Sequence, residues 1–315
     1  MFKSLVMLAI VILFQSASAE NFFNSKVQVI KQGEDIYLTG TDCNILNKES
    51  LALEEWSKKL KENTLKNSCE CANAICKKKV TAQLPQIVNT TQFEKPNASG
   101  PNCWNASLVA AKIIPQLRYS TPQEMSFWLK SPLCREKKSN EPLVPGDIIA
   151  ILDKSSRQHH GFVYISENLS FSKNGFESDN PYSLQDPKKV FAKYQVKPKC
   201  ERVDSKGACA NHAKYYSCMS MEEYRSKNKS TDKKLHETIK AIGHIECELS
   251  KSLFEEGSFG VDNFISTNLE ILNNLISEIY LDKKFKPEDA VLWEGLYYQI
   301  GAMLAQAEMK NTVGM

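Results

Sequence analysis

Between residues 102 and 175 the hydrophobic pattern changes period once, and that change limits the fold more than any other feature of the chain. Trp104, Leu108 and Ala111 fall at i, i+4 and i+7 behind Asn102, whose side-chain oxygen suits a helix N-cap. Thr121-Pro122-Gln123-Glu124 reads as a capping box with proline at the first helical position. The helix it opens carries Met125, Trp128 and Leu129 and stops at Ser131-Pro132. After the turn Pro145-Gly146-Asp147 the pattern is that of short strands. Ile148 to Leu152 is one apolar run and His160 to Ser166 a second; Glu167-Asn168 makes a hairpin turn, and Leu169 to Lys173 returns to Asn174-Gly175. Val190 to Val196 reads as a further strand. Helices followed by a small antiparallel sheet define an α+β domain.

The flanks read differently. Residues 20–97 form an N-terminal Cys-rich region, 98–218 the α+β domain, and 219–315 a C-terminal helical domain. Within the first, residues 20–47 read as a strand or extended arm. Ser50 to Lys66 reads as a helix with Leu53, Trp56 and Leu60 on one face. Beyond Thr231 one stripe runs Leu235, Ile239, Ile242, Ile245, Leu249, and a second runs Phe264, Leu272, Leu275, Ile279. A third helix begins near Pro287 and carries Val291, Tyr298 and Met303. These three read as a small bundle or as a layer over the sheet. His236 and His244 lie on nearly the same side of the first and read as surface residues, since no third ligand accompanies them.

Residues 1–19 have the form of a secretory leader: Lys3, an apolar centre from Leu5 to Phe14, and Ala17-Ser18-Ala19 as the cleavage site. The apolar run is too short to span a bilayer, and no later stretch is longer. Ten cysteines in an exported chain imply disulfides. Cys43, Cys69, Cys71 and Cys76 offer a C-x-C-x4-C run, and Cys200, Cys209 and Cys218 lie near His212. Zinc is weighed at both places, and disulfide stapling is the stronger reading at both. No cofactor motif is read. A formal net charge of +3 carries no signature for nucleic acid. Of five Asn-x-Ser/Thr sequons, at Asn89, Asn97, Asn105, Asn168 and Asn228, the third would put a glycan on the helical turn that holds Cys103.

Cys103 is the candidate nucleophile. It occupies the first turn of a helix, where free N–H groups and the helix dipole favour the thiolate and should lower its pKa. Its competing role is that of one more disulfide partner. A thiolate needs an imidazole to hold the ion pair and protonate the leaving group. Of five histidines, only His159 and His160 precede a strand in the sheet region, and His160 opens the run Gly161-Phe162-Val163-Tyr164-Ile165. Alternation along the returning strand puts Ser172 and Asn174 on one face. Asn174 is the better orienter of an imidazole, because its amide oxygen accepts from a ring N–H; Ser172 is the other.

Cys103-Trp104 at a helix start, Pro145-Gly146-Asp147-Ile148-Ile149 before a strand, and His160-Gly161-Phe162-Val163-Tyr164-Ile165-Ser166 together resemble the NlpC-like cysteine peptidases. The cysteine- and histidine-dependent amidohydrolases are close relatives, and both belong to the papain-like superfamily. The likeness covers about residues 98–178. It implies a papain-like domain with N-terminal helices and a small antiparallel sheet. By position it implies Cys103 as nucleophile, His160 as base and a residue of the 172–174 strand as third member. It also implies a peptide or peptidoglycan-like substrate. The expectation is an exported thiol hydrolase, secreted or periplasmic, with no metal and no cofactor. The alternatives are a catalytically inactive binding or structural module on the same fold, and an acyltransferase using the same pair.

Overall fold

The computed structural model of the chain describes residues 26–196, 211–230, 232–281 and 285–313. The leader and Cys200 and Cys209 lie outside the described residues.

The N-terminal region is a four-stranded antiparallel sheet with one helix on it. β1 (Gln28–Gln32) and β2 (Asp35–Gly40) form a hairpin, and the spatial order is β1-β2-β4-β3, with β3 (Cys69–Ala72) and β4 (Ile75–Lys79) a second hairpin. The helix α1 spans Cys43–Lys59, not Ser50 to Lys66. It starts early because Asp42 caps it, accepting from the Asn44 N–H at 2.8 Å. It ends early because Lys61 turns to φ +59°. Leu46, Leu53 and Trp56 of α1 are buried over Ile36 and Leu38 of β2. The disulfide Cys43–Cys69 locks the helix to the second hairpin and Cys71–Cys76 closes the hairpin on itself, so disulfide stapling, not zinc, accounts for these four cysteines.

The α+β character expected from the sequence is present. α2 (Gln86–Thr91) lies in the connector, followed by α3 (Cys103–Ala110) and α4 (Pro122–Lys130), each beginning where the caps Asn102 and Thr121 place it. The second sheet has six antiparallel strands in the order β5-β10-β6-β7-β8-β9. These are β5 (Cys134–Glu136), β6 (Ile148–Asp153), β7 (Gln158–Tyr164), β8 (Ser170–Lys173), β9 (Tyr182–Gln185) and β10 (Asn211–Cys218). The disulfide Cys134–Cys218 ties β5 to β10. β6 is an unbroken apolar run because both its faces are covered. Ile148 and Ala150 join the main core under α3 and α4, whereas Ile149 and Ile151 pack with Phe162 and Val190 on the other side.

That other side corrects a sequence expectation. The segment read as a strand over Val190 to Val196 is the helix α5 (Pro187–Lys193). Asp186 caps it, accepting from the Lys188 N–H at 2.8 Å, and Pro187 supplies the first-turn proline. Val190, Phe191 and Tyr194 then fall on one face and cover the sheet.

The turn before β6 is shaped by neighbours. Gly146 has φ +87°, and a Cβ there would come within 2.8 Å of the Trp56 ring. Asp147 is buried, accepts from the Val144 N–H at 2.8 Å and pairs with Lys137 at 2.6 Å. From α1, the buried Glu49 accepts from Asn168 Nδ2 at 2.8 Å and from the Ser166 hydroxyl, holding the β7–β8 turn.

The C-terminal segment is helical: α6 (Met221–Lys227), α7 (Lys233–Lys251), a π-helical turn over Ser252–Glu256, α8 (Gly257–Leu281) and α9 (Pro287–Val313). α9 contacts α4, α7 and α8. One hydrophobic core runs from the first sheet through α3 and α4 into these helices. Its polar pin is Arg118, fully buried, which binds Glu124 through both terminal nitrogens at 2.7 and 2.9 Å and Glu246 of α7 through Nε at 2.7 Å. Gln306 of α9 adds a second tie, donating to the Ser99 carbonyl at 3.0 Å and accepting from the Tyr119 N–H at 2.8 Å.

Candidate active site

Asn102 caps α3 by accepting from the Asn105 N–H at 3.0 Å, and its own amide donates to the Ser120 carbonyl at 2.8 Å. Asn105 is fully buried, with Nδ2 on the Gln116 carbonyl at 3.2 Å and its oxygen on the Arg118 N–H at 3.0 Å. Its side chain is structural, so that sequon is closed to a glycan in the folded chain.

Cys103 follows the cap and is a free thiol, one of two among the described residues; Cys247 is the other. The backbone N–H groups of Gly161, of Trp104 and of Cys103 itself lie close enough to its sulfur to favour the thiolate. The close approach to β7 depends on Gly161. A Cβ at that position would lie 2.9 Å from Met125 Cε and 3.3 Å from Ser107 Oγ. The β7–β8 ladder ends at the pair Val163 and Phe171, short of Gly161.

The helix start does not lower the thiol pKa, as the sequence led one to expect. Cys103 is 6% exposed, and burial pushes the thiol up to about 11 against the three N–H donors and the nearby Lys173 ammonium. Removing water from a thiolate costs more than those fixed dipoles return.

His160 stands beside Gly161 on β7, opposite Ile151 of β6. Its ring lies flat on Tyr194, with centroids 3.9 Å apart and planes 15° apart. Both ring nitrogens are buried without a hydrogen-bond partner. Burial first, then the charges of Lys193 and His159, push its pKa down to about 3. The pairing slips between Ile151 and Leu152, which oppose His160 and Gln158, so His159 is the extra residue of a bulge. It is exposed and meets Tyr194 edge-on at 5.6 Å.

The expected third member is not behind the imidazole. Ser172 accepts from Gln185 Nε2 at 2.8 Å and lies 3.4 Å from Asn174 Oδ1, while Asn174 Nδ2 donates to Gln185 Oε1 at 3.4 Å. Gln185 of β9 therefore occupies both candidates, and neither they nor Cys103 hydrogen-bonds to His160. The reason lies in β9, a strand whose pairing with β8 puts a competing amide beside them.

Two residues of the site carried no functional reading in the sequence. Lys173 ends β8 fully buried, donating to the carbonyls of Gly175 at 3.1 Å and Glu177 at 2.7 Å. Burial pulls its pKa down to about 8, against the negative charges of Glu177, Cys103 and Asp179. Tyr194 stacks on the imidazole and lies within electrostatic reach of the Cys103 sulfur. A lysine inside a strand bounded by Asn-Gly was the only local signal for the first. The second needed the α5 cap to be seen.

Cys103 and His160 are thus each buried and uncharged, the thiol protonated beside backbone donors and the imidazole neutral under Tyr194, with no hydrogen bond between the two. No protein-family model, curated protein or solved structure matches this chain.

Proposed function

We propose that the chain is an exported thiol hydrolase of the papain-like type that cleaves amide bonds in peptides, with cell-wall peptides the leading substrate class. The observation that carries this reading is the state of Cys103. Six other described cysteines are in disulfides, whereas this one stays free at a helix N-terminus, with backbone N–H groups near enough to favour its thiolate. Three disulfides fit export, and no helix among the described residues is long and apolar enough to cross a membrane.

In this mechanism His160 takes the Cys103 proton as the sulfur attacks the substrate carbonyl carbon. The Cys103 N–H serves half of the oxyanion hole. Collapse of the tetrahedral intermediate breaks the C–N bond, and the imidazolium gives its proton to the departing amine. Water, deprotonated by His160, then cleaves the thioester and returns the thiol. Tyr194 must leave the imidazole face before substrate enters.

A second reading, a binding module with no turnover, is favoured by the uncharged pair and by the loss of Ser172 and Asn174 to Gln185. One assay separates them. The purified chain is incubated with peptidoglycan-derived peptides, and new amino groups are counted by mass spectrometry. Hydrolysis should appear, vanish in Cys103→Ser, and fall at least 100-fold in His160→Ala. No new amino groups from the wild type or from Tyr194→Ala would leave the binding reading in its place. An acyltransferase would instead transfer the acyl group to an added amine.

A further inference from the structure

A cavity of about 630 Å³ opens between α2, the segment after α3, α6, α7 and α9, away from Cys103. That volume suits a small molecule. Its apolar lining includes Ile87, Val109, Ile113, Met221, Ile239 and Leu296. Its lining carboxylates are Glu62, Glu222 and Glu246, against Lys112 and Arg225, which leaves one negative charge in excess. Lys112 pairs with Glu62 at 2.9 Å, and Arg225 Nη2 meets the His236 ring nitrogen at 2.6 Å.

Glu246 is the unusual member. It is fully buried, and its Oε1 takes the Arg118 Nε, but its Oε2 has no partner. The same guanidinium already holds Glu124 with two bonds. One buried cation thus serves two buried carboxylates, and the second is left short of donors. Burial keeps the Glu246 carboxyl above the usual carboxylate range in spite of Arg118. Glu246 lines the cavity, and its unpaired Oε2, shut from water by the side chains around it, is an acceptor that a ligand cation satisfies once those side chains part.

We propose that this cavity binds an amphipathic primary amine, with the ammonium on Glu246 Oε2 and the apolar body along Val109, Ile113, Met221 and Ile239. The site is independent of the Cys103 chemistry and would stand if that reading failed.

The wall also supplies a clean block. Gly243 of α7 lines the cavity, and a Cβ there meets nothing within 4 Å. Gly243→Leu fills the space and favours the helix, so it should keep or raise the melting temperature. The test is calorimetric titration of the full chain with n-octylamine, n-octanol and n-octanoate at neutral pH. The expected result is saturable 1:1 binding of octylamine, at least tenfold tighter than octanol, with octanoate not bound. Gly243→Leu should abolish it, and Glu246→Gln should bring octylamine to within twofold of octanol. Octylamine that does not saturate, that binds no better than octanol, or that binds Gly243→Leu as it binds the wild type would overturn the proposal. The Gly243→Leu arm decides even if Glu246→Gln fails to fold.

Discussion

Cys43 and Cys103 begin their helices in the same way, and only one of them is oxidised. Each sits directly after a capping residue, Asp42 or Asn102, whose side chain accepts a first-turn N–H. Each therefore has the same local field from the helix start. Cys43 lies on a partly exposed surface beside a hairpin that brings Cys69 to it, and its sulfur is 3.4 Å from that of Cys71 in the neighbouring bridge. Cys103 is turned into the core, where backbone amides act on it and no second cysteine bonds to it. The comparison teaches that a helix N-terminus does not make a reactive cysteine. What the neighbouring strand presents, and how much water remains, decide between staple, inert thiol and nucleophile.

The largest effect should come from uncovering Cys103. In the closed site its alkylation by iodoacetamide at pH 7.5 should be slow, the reverse of what a helix start alone promises. Tyr194→Ala removes the ring stacked on His160 and admits water. The rate should rise on the order of 100-fold, since lowering a thiol pKa by about two units multiplies the thiolate by that factor. Equal rates in the two proteins would show that Tyr194 does not cover the site.

Next in size is removal of the staple. Replacing Cys43 and Cys69 together by serine opens a bridge of sequence separation 26. Loop entropy then predicts a loss of about 3.5 kcal/mol, read by denaturant titration. Cys71→Ser with Cys76→Ser, at separation 5, should cost about 2 kcal/mol by the same relation. Equal losses would point to strain or packing rather than chain entropy.

The smallest effect separates the two cysteines by pH. The Cys103 thiol is raised from 9.0 to about 11 in the folded chain, so above pH 9 the unfolded state loses a proton that the folded state keeps. Its contribution is complete below pH 9 and is lost as the pH rises through 11, about 1.4 kcal/mol being gone by pH 10. Cys103→Ala should flatten this alkaline limb in pH-dependent denaturation, whereas replacing Cys43 and Cys69 together, which do not titrate in their bridge, should leave it in place. An unchanged limb in Cys103→Ala would mean that the thiol is wetter than its burial indicates.

Much of the site was legible because it is local. Asn102, Thr121-Pro122 and Pro145-Gly146-Asp147 each act within a few residues of themselves, and the helices and the turn stand where those residues place them. The free state of Cys103 was argued from its company, His160 and the strand after it, rather than from the cysteine. The errors were of two kinds. Asp186-Pro187 is as local as Thr121-Pro122, yet the apolar run behind it read as a strand. β9 and β10 have little pattern of their own, and they form because β8 and β6 offer them edges.

The sequence by itself determined the alternation of periods, the helix starts, and the richness in cysteine that three bridges express. These follow from caps and hydrophobic spacing, which act over one or two turns of chain. Tertiary structure alone decided which cysteines paired, that Gln185 takes Ser172 and Asn174 from the imidazole, that Tyr194 covers it, and that Arg118 must serve both Glu124 and Glu246. Each depends on which residue, distant in sequence, arrives within 3 or 4 Å. In a dry interior that arrival sets protonation, because burial acts on a charge more strongly than the field of its own helix.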